Sequence, residues 1–343
     1  MKRIAGFLGM MGAAMAARAA APAAVTPPQL SVMTYNVEGL PWPVRTDRTD
    51  AEQAIGQKLH ALRQRGVQPH ILVLQEAFTD SAKAIATEGG YRYIANGPAR
   101  DDAGAPPTTA ADRQFMSGAR MMAGETVGKW VDSGLRIASD YPILAVRRMA
   151  YPSYACAGLD CLANKGALAV EIAVPGLPQP VVVVATHMNS RAAAGVSFDR
   201  SFYAYRRQVD ALGHFIASAA PASWPLIVAG DFNAGQGANR RAYLVQSAAH
   251  WRPQAGMSVA MNECLAQQSC TKSNAPDIQF SFRRERDWQF FSPGTGVGLR
   301  VAGLNATFGH DAHGAMLSDH VGYMADYAVS AKPTAGLTRL ASR

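Results

Sequence analysis

The sequence lacks the features that mark several classes of protein. Among 343 residues there are only four cysteines, and neither pair of them is completed by a His or Cys cluster of the kind that binds structural zinc. Beyond residue 24, no segment reaches the roughly 20 apolar residues of a membrane-spanning helix. No motif recurs at the period of about 20–50 residues that solenoids and propellers require. Hydrophobic residues make up 48% of the chain, which predicts one large globular domain.

The four cysteines form two close pairs in the sequence, Cys156 with Cys161 and Cys264 with Cys270. An even number of cysteines in an exported chain favours disulfides, and the short spacings favour two local ones. Four cysteines nevertheless permit three pairings, and the sequence alone does not select among them.

The N-terminus resembles a secretory signal. Lys2 and Arg3 precede a mostly apolar stretch from Ile4 to Ala17, and small residues follow around Arg18. A disordered Ala-rich segment is the alternative. We therefore expect a leader over residues 1–24, one large domain over 25–331 and a tail over 332–343, in a monomeric protein that is exported to the periplasm or secreted. Removing the leader would lower the formal charge from +8 to +5, which suits a phosphate-bearing or anionic partner but also simple solubility.

Short apolar runs alternate with stretches of helical spacing, which indicates a layered α/β domain. The runs of strand length are Leu30–Asn36, Ile71–Gln75, Leu135–Ala138, Ile143–Arg147, Ala167–Ile172, Val181–Thr186, Leu226–Ala229, Trp288–Phe291, Arg300–Ala302 and Val321–Tyr327. Helical spacing occurs in Ala51–Arg65, Phe202–Ala219 and Ala238–Ala248. Between Ala95 and Trp130 the composition changes to Gly, Pro, Ala, Thr and Asp, which predicts a long surface insertion.

Polar motifs follow five of the apolar runs, and polar side chains at strand ends are a common way of building a site in α/β proteins. Each motif alone is weak, because a lone His or Glu is more often structural or solvated. The motifs are Thr34-Tyr35-Asn36-Val37, Leu74-Gln75-Glu76, Thr186-His187, Gly230-Asp231-Phe232-Asn233 and Ser318-Asp319-His320.

Together and in this order, the five motifs resemble those of the endonuclease/exonuclease/phosphatase superfamily of Mg²⁺-dependent phosphoesterases. This superfamily contains DNase-I-like nucleases, inositol phosphatases and neutral sphingomyelinases. The resemblance extends from about Leu30 to Tyr327. It implies a four-layered α/β sandwich of the DNase-I-like kind, in which two mixed β-sheets pack face to face with helices outside and the five motifs converge at one end.

The resemblance also implies the metal ligands. Glu76 is expected to be the principal ligand of Mg²⁺, which Mn²⁺ or Co²⁺ can replace. Asn36 would assist through its side-chain oxygen, and Asp319 would lie at the metal and the phosphate. Hard oxygen ligands of this kind suit Mg²⁺, and the cation would neutralise charge on the phosphoryl oxygens.

The catalytic roles are implied in the same way. Asp231 and Asn233 match a pair that orients the attacking water and contacts a phosphate oxygen, and His187 matches a histidine that stabilises the transition state or leaving group. His320 matches a histidine that acts as general base or binds the scissile phosphate. The Asp287 position matches a strand whose Asp pairs with that histidine and fixes its tautomer, so we expect Asp287 to contact His320.

Local segments resemble the neutral-sphingomyelinase branch. They are Tyr35–Trp42, Asp132–Ile143 and Asp160–Gly166. In the last segment Asp160 and Lys165 resemble an Asp–Lys pair associated with switching of the active site, and such a lysine can reach substrate phosphate; a surface lysine is the alternative. For Trp42 we expect a place in the core rather than contact with lipid.

We therefore expect a phospholipid or sphingolipid substrate at a membrane surface. Water, activated by His320 and Asp231, would attack the phosphorus and release the lipid alkoxide. No motif in the sequence identifies the headgroup of the lipid. Nucleic acid is the second candidate substrate, bound by a basic groove. The arginines that could form this groove are Arg200, Arg206, Arg207, Arg283, Arg284 and Arg286. An inositol-type phosphatase and a catalytically inactive binding protein are further alternatives.

Overall fold

A computed structural model describes residues 29–235 and 237–331. The expected leader over residues 1–24 and the expected tail over 332–343 lie outside the described residues. The strands are β1 (Gln29–Gly39), β2 (Ile71–Ala77), β3 (Tyr93–Asn96), β4 (Arg136–Ser139), β5 (Ile143–Ala150), β6 (Gly166–Ile172), β7 (Val181–His187), β8 (Leu226–Asp231), β9 (Ser258–Val259), β10 (Thr271–Ser273), β11 (Asp287–Ser292), β12 (Gly298–Phe308) and β13 (Gly322–Ser330). The helices are α1 (Thr49–Gln64), α2 (Asp80–Glu88), α3 (Ala110–Ser117), α4 (Phe198–Ala219), α5 (Ala238–Ala248), α6 (Ala260–Ala266) and α7 (Ala275–Arg284).

The strands form two mixed sheets. The first sheet has the order β10-β12-β13-β1-β2-β4-β3, and the second has the order β5-β6-β7-β8-β11-β9. Two parallel pairs lie at the centre of the fold, β1 with β2 in the first sheet and β7 with β8 in the second. The strands of each pair therefore end at the same edge of their sheet, which is where the polar motifs follow them.

Three hydrophobic layers hold the sandwich together. Between the sheets, side chains such as Leu30 and Val73 pack against Val183 and Ile227. The outer face of the first sheet buries its apolar side chains under α1 and α2, and the outer face of the second sheet does so under α4 and α5. Two sheets and two outer helical layers confirm the predicted four-layered α/β sandwich.

Each predicted strand and helix is present, with ends that differ by a few residues. The region from Ala95 to Trp130 is more ordered than a plain loop, since it contains α3. Thr109 caps this helix by accepting a hydrogen bond from the backbone N–H of Asp112 at 3.1 Å, and the ring of Phe115 stacks on Tyr203 with centroids 4.5 Å apart. The insertion is thereby anchored to α4.

Both local disulfides predicted from the spacings are present, Cys156–Cys161 and Cys264–Cys270. The expectation for Trp42 was wrong, because its side chain is 79% exposed. The backbone N–H of Val44 donates to the carbonyl of Pro41 at 3.0 Å, and this tight turn carries Trp42 at its tip, away from the core. Within the described part of the chain, no helix combines the length and apolarity that crossing a membrane demands.

Candidate active site

The period-two alternation of the strands carries four polar side chains into the cleft between the sheets. On β1, Leu30 and Val32 face the layer between the sheets, and Asn36 continues this face of the strand. On β8, Ile227 and Ala229 face the same layer, and Asp231 continues their row. His187 on β7 and Asp287 on β11 hold equivalent inward positions. Because side chains at every second position share a face, these polar groups meet where the apolar core ends.

Glu76 reaches the same place by a different route. Its neighbours Leu72 and Leu74 pack on the outer face of the first sheet, so a regular strand would point Glu76 towards the helices. Its φ of 56° places it instead in the left-handed region, an unusual conformation for a residue with a side chain. Its Oε1 lies 3.7 Å from Nε2 of His187. Backbone strain at this position is therefore used to turn the carboxylate into the cleft.

A group of three side chains provides a candidate cation site. Among the described residues, ligand atoms of Glu76, His187 and Asp231 lie within 4.8 Å of one another. Burial raises the pKa of Glu76 to about 7 and also raises the pKa of Asp231. Burial, with the charges of Lys165 and His320, holds the pKa of His187 well below its usual value. The buried carboxylate of Asp231 and the partly buried carboxylate of Glu76, beside a neutral imidazole, fit a divalent cation, and their oxygens suit Mg²⁺.

Asn36 lies against this group. Its Nδ2 donates to Oδ2 of Asp231 at 3.1 Å, and its Oδ1 accepts from the backbone N–H of Glu38 at 3.0 Å. For Oδ1 to bind a cation, the side-chain amide would have to rotate so that its oxygen and nitrogen exchange places. The role of Asn36 as a metal ligand therefore stays a prediction.

His320 is fixed by two carboxylates. Its Nδ1–H donates to both oxygens of Asp287 at 2.9 Å, which confirms the expected contact, and its Nε2 lies 3.7 Å from Oδ2 of Asp231. Burial lowers the pKa of His320, but Asp287 and Asp231 outweigh it and raise the pKa to about 10. The raised pKa favours the protonated ring at neutral pH.

Asn233 and Asp319 complete the predicted set at the rim. Asn233 has a φ of 47°, its backbone N–H donates to Oδ1 of Asp231 at 2.9 Å, and its Nδ2 donates to the carbonyl of Met188 at 3.0 Å. The side chain of Asp319 is 49% exposed and lies 3.2 Å from a guanidinium nitrogen of Arg286. Asp319 therefore lies at the exposed end of the cleft, in an ion pair with Arg286.

Lys165 is buried beside the same group rather than on the surface. Its Nζ donates to Oδ1 of Asp160 at 2.7 Å and to the carbonyl of Met188 at 3.0 Å, and lies 3.1 Å from Nε2 of His187. The Asp–Lys pair suggested by the sequence is thus formed, and it touches the histidine of the candidate cation site.

Three other residues at the site could hardly be predicted from residue patterns. Arg240 is fully buried and donates to the carbonyls of Asn189 at 2.6 Å and Asn233 at 3.2 Å. Glu38 accepts from the backbone N–H of Asp319 at 3.2 Å. Arg286, considered above only as part of a basic groove, lies beside His320. Arg240 cannot be identified from a residue pattern, because arginine is common in helices and Arg240 occupies an ordinary position of α5.

Comparison with known proteins agrees with this geometry. The sequence pattern of the Endonuclease/Exonuclease/phosphatase family matches residues 33–320. The chain belongs to this family. A search of curated protein sequences gives no match.

Solved structures share the fold at low sequence identity. Sphingomyelinase C from Streptomyces griseocarneus has a TM-score of 0.58 and 20% identity, over 87% of this chain and 99% of that one. Beta toxin from Staphylococcus aureus, a mutant with bound magnesium ions, has a TM-score of 0.57 and 15% identity, over 88% and 99%. D. rerio TDP2 complexed with a single-strand DNA product has a TM-score of 0.54 and 14% identity, over 87% and 98%.

Members of this family are hydrolases of phosphoric esters and are typically metal-dependent. In this chain the candidate cation site is the group of Glu76, His187 and Asp231, with Asn36 beside it. A divalent cation bound there would neutralise charge on the phosphoryl oxygens. Nδ1 of His320 is held by Asp287, and Oδ2 of Asp231 lies 3.7 Å from Nε2 of His320 and 3.5 Å from Nε2 of His187.

Proposed function

We propose that this protein is an exported Mg²⁺-dependent phosphodiesterase that hydrolyses the headgroup phosphodiester of a membrane phospholipid, with sphingomyelin as the favoured substrate. Water loses a proton and forms a new bond to phosphorus, while the bond to the lipid alkoxide breaks and the alkoxide takes up a proton from solvent. The products are ceramide or diacylglycerol and a phosphorylated headgroup. The related folds of a sphingomyelinase C and a beta toxin support this proposal.

The protein's own side chains take defined parts in this hydrolysis. Asp231, oriented by Asn36 and by the backbone of Asn233, accepts a proton from the attacking water. His320, as an imidazolium oriented by Asp287, donates a hydrogen bond to a phosphoryl oxygen and opposes the charge that develops in the transition state. This assignment uses the phosphate-binding role of His320, because an imidazolium has no free nitrogen with which to act as a base.

Exposed apolar side chains at the rim of the site are the observation that carries the choice of a lipid substrate. Trp42 is 79% exposed and lies three residues beyond the end of β1, the strand of Asn36. Met122 is 91% and Trp130 59% exposed. The segment that contains them packs on the turn that bears Asp160, since the backbone N–H of Trp130 donates to the carbonyl of Leu162 at 2.7 Å. Exposed apolar groups near an active site suit contact with a lipid surface.

Three of the six arginines that could have formed a nucleic-acid groove are engaged elsewhere. Arg200 pairs with Glu125 at 2.5 Å, and Arg207 pairs with Asp112 at 2.9 Å. The guanidinium of Arg206 lies over the ring of Phe202. The ion pairs of Arg200 and Arg207 leave less charge for a phosphate backbone, which favours lipid over nucleic acid.

Export is supported by the two disulfides, since disulfides persist in oxidising compartments. The secretory pattern of residues 1–24 agrees with this proposal.

Headgroup release by the purified protein tests the substrate. The protein with Mg²⁺ is incubated with sphingomyelin liposomes, phosphatidylcholine liposomes and supercoiled plasmid, and phosphocholine release and plasmid nicking are measured. We expect phosphocholine from sphingomyelin liposomes, and none when EDTA is present or when E76Q replaces the wild type. Nicking of the plasmid without phosphocholine release would contradict the proposal and favour a nuclease.

The rim is tested with a double variant, W42S/W130S, compared with L144S/V146S. The control pair is also exposed but lies on β5, an edge strand of the second sheet. We expect W42S/W130S to bind phosphatidylcholine liposomes at least tenfold more weakly, because each buried apolar side chain contributes about 1.5–3 kcal/mol, with unchanged hydrolysis of a water-soluble diester. Equal liposome binding by the two double variants would contradict lipid contact at the rim.

A further inference from the structure

Two guanidinium groups converge on the exposed side of the cleft. Arg286 Nη1 donates to Oδ2 of Asp319 at 3.2 Å. Arg284 Nη1 donates to the backbone carbonyl of Asp319, and its Nη2 lies 3.8 Å from Oδ2 of the same residue. Asp319 offsets only one of the two positive charges. The group of Arg284, Arg286 and Asp319 therefore carries one net positive charge beside His320.

Arg286 is also close to the catalytic histidine itself. Its Nη1 lies 3.5 Å from Nε2 of His320, the ring nitrogen that Asp287 leaves free. Any phosphoryl oxygen that meets Nε2 of His320 is thus within hydrogen-bond reach of the Arg286 guanidinium. A guanidinium has five N–H donors in a planar fork, so one bond to Asp319 leaves donors for the phosphate.

The backbone holds Arg286 firmly in this position. Its carbonyl accepts a hydrogen bond from the N–H of Phe232 at 2.7 Å, and the next residue, Asp287, pairs with Asp231 across β11 and β8. The side chain of Arg286 is 32% exposed, which leaves it accessible to substrate. Arg286 therefore lies directly before β11, the strand that positions Asp287.

We propose that Arg286 is a catalytic residue that binds a non-bridging oxygen of the scissile phosphate together with His320, while Asp319 orients its guanidinium. The proposal rests on the phosphoester hydrolysis of the family and not on the choice of a lipid. Arginine is suited to this task because its fork matches two phosphate oxygens at once and its charge does not depend on pH.

The test compares R286Q, R286K and R286A with R283Q. Arg283 is exposed on α7 and its loss removes the same charge three residues away, so R283Q controls for general electrostatics. Hydrolysis of bis(p-nitrophenyl) phosphate gives kcat and KM, and calorimetry with inorganic phosphate in the presence of Mg²⁺ gives a dissociation constant that does not depend on turnover. Melting temperatures show whether each variant is folded.

We expect R286Q to lower kcat/KM about 100-fold, as for loss of one donor to a transition-state oxyanion, and to weaken phosphate binding about tenfold. R286K should recover part of both losses, and added guanidinium ion should partly restore the rate of R286A. R283Q should change each quantity less than threefold.

Two results would overturn the proposal. In the first, R286Q hydrolyses the diester and binds phosphate as R283Q does. In the second, R286Q is slow but binds phosphate normally and R286A is not rescued by guanidinium, which would make Arg286 only a structural partner of Asp319. A protein that fails on sphingomyelin yet loses phosphate affinity in R286Q would contradict the lipid substrate and support this role of Arg286.

Discussion

Both carboxylate oxygens of Asp287 lie 2.9 Å from Nδ1 of His320. This contact fixes the ring so that only Nε2 faces the cleft, and it places a negative charge against the imidazolium. The side chains of both residues are only 5% exposed, so water screens the interaction weakly. The contact with Asp287 therefore determines the protonation state in which His320 binds the substrate.

The variant D287N tests that protonation state. Burial lowers the pKa of His320, and Asp287 with Asp231 raises it to about 10. If the imidazolium is the active form, activity is lost as pH rises through this pKa. We expect D287N to lower the pKa and so to move the alkaline limb of the profile of kcat/KM against pH down by about one pH unit or more. Bound metal lowers the pKa in both proteins and does not change the sign.

The profile of kcat/KM against pH can also contradict the assignment of the imidazolium of His320 as the active form. If His320 acted as the base, activity would instead rise as the ring loses its proton, and D287N would move the acid limb to lower pH. The variant H320Q, which cannot titrate, controls for effects of Asp287 that do not pass through the histidine.

The carboxylate of Glu76 should reduce the stability of the metal-free protein. Burial raises its pKa from 4.5 to about 7, so the folded state holds a proton that the unfolded state has released. Stability is then full below about pH 4.5 and falls as pH rises through 7. Since each tenfold change in proton affinity corresponds to about 1.4 kcal/mol, the loss above pH 7 is about 3 kcal/mol.

We expect E76Q in EDTA at pH 8 to unfold at higher urea concentration than the wild type, and to lose this advantage at pH 4. Activity should fall by orders of magnitude. Addition of Mg²⁺ should stabilise the wild type only. Urea unfolding at the two pH values measures the effect, and a less stable E76Q at pH 8 would contradict the raised pKa.

Much of the fold and part of the site could be predicted because alternation of residues along a strand fixes which face each one occupies. Asn36, His187, Asp231 and Asp287 each continue an inward-facing row, so a strand assignment brings them together. Glu76 does not follow this rule, since it depends on a left-handed backbone that no residue pattern encodes; only the family resemblance identified it.

Other features depend on tertiary contacts. The short helices α6 and α7 have too few residues for a clear periodicity, and α3 is held by a cap and by the stacking of Phe115 on Tyr203. Trp42 was misplaced because large aromatic residues are usually buried, whereas the turn that contains it projects away from the sheet.

The Cys156–Cys161 disulfide encloses Asp160, and Asp160 holds Lys165 beside His187. We expect C156S/C161S to lower kcat about tenfold, because Asp160 would no longer be fixed and Lys165 would lose its anchor. The second disulfide, Cys264–Cys270, is the matched control. Its sequence separation is 6 against 5, so each loss should cost a similar stability of about 2 kcal/mol. Kinetics at a temperature well below both melting points separates the loss of turnover from the loss of stability. Equal kcat values for the two disulfide variants would contradict a role of Cys156–Cys161 in positioning Lys165.

Arg240 joins two catalytic segments from inside the protein. Its guanidinium donates to the carbonyls of Asn189, Asn233 and Ser201 and lies over the ring of Tyr205, so it holds the segments that follow β7 and β8. We expect R240M to lower the free energy of unfolding by about 3 kcal/mol or more, because three buried carbonyls lose their donor. It should also lower kcat more than it raises KM, since Asn233 would be displaced.

R241Q on the same helix, where the arginine is 59% exposed, should change neither the free energy of unfolding nor kcat appreciably. R240K keeps the charge but not the fork, so it should recover little of kcat; a lysine variant with wild-type turnover would contradict the positioning role.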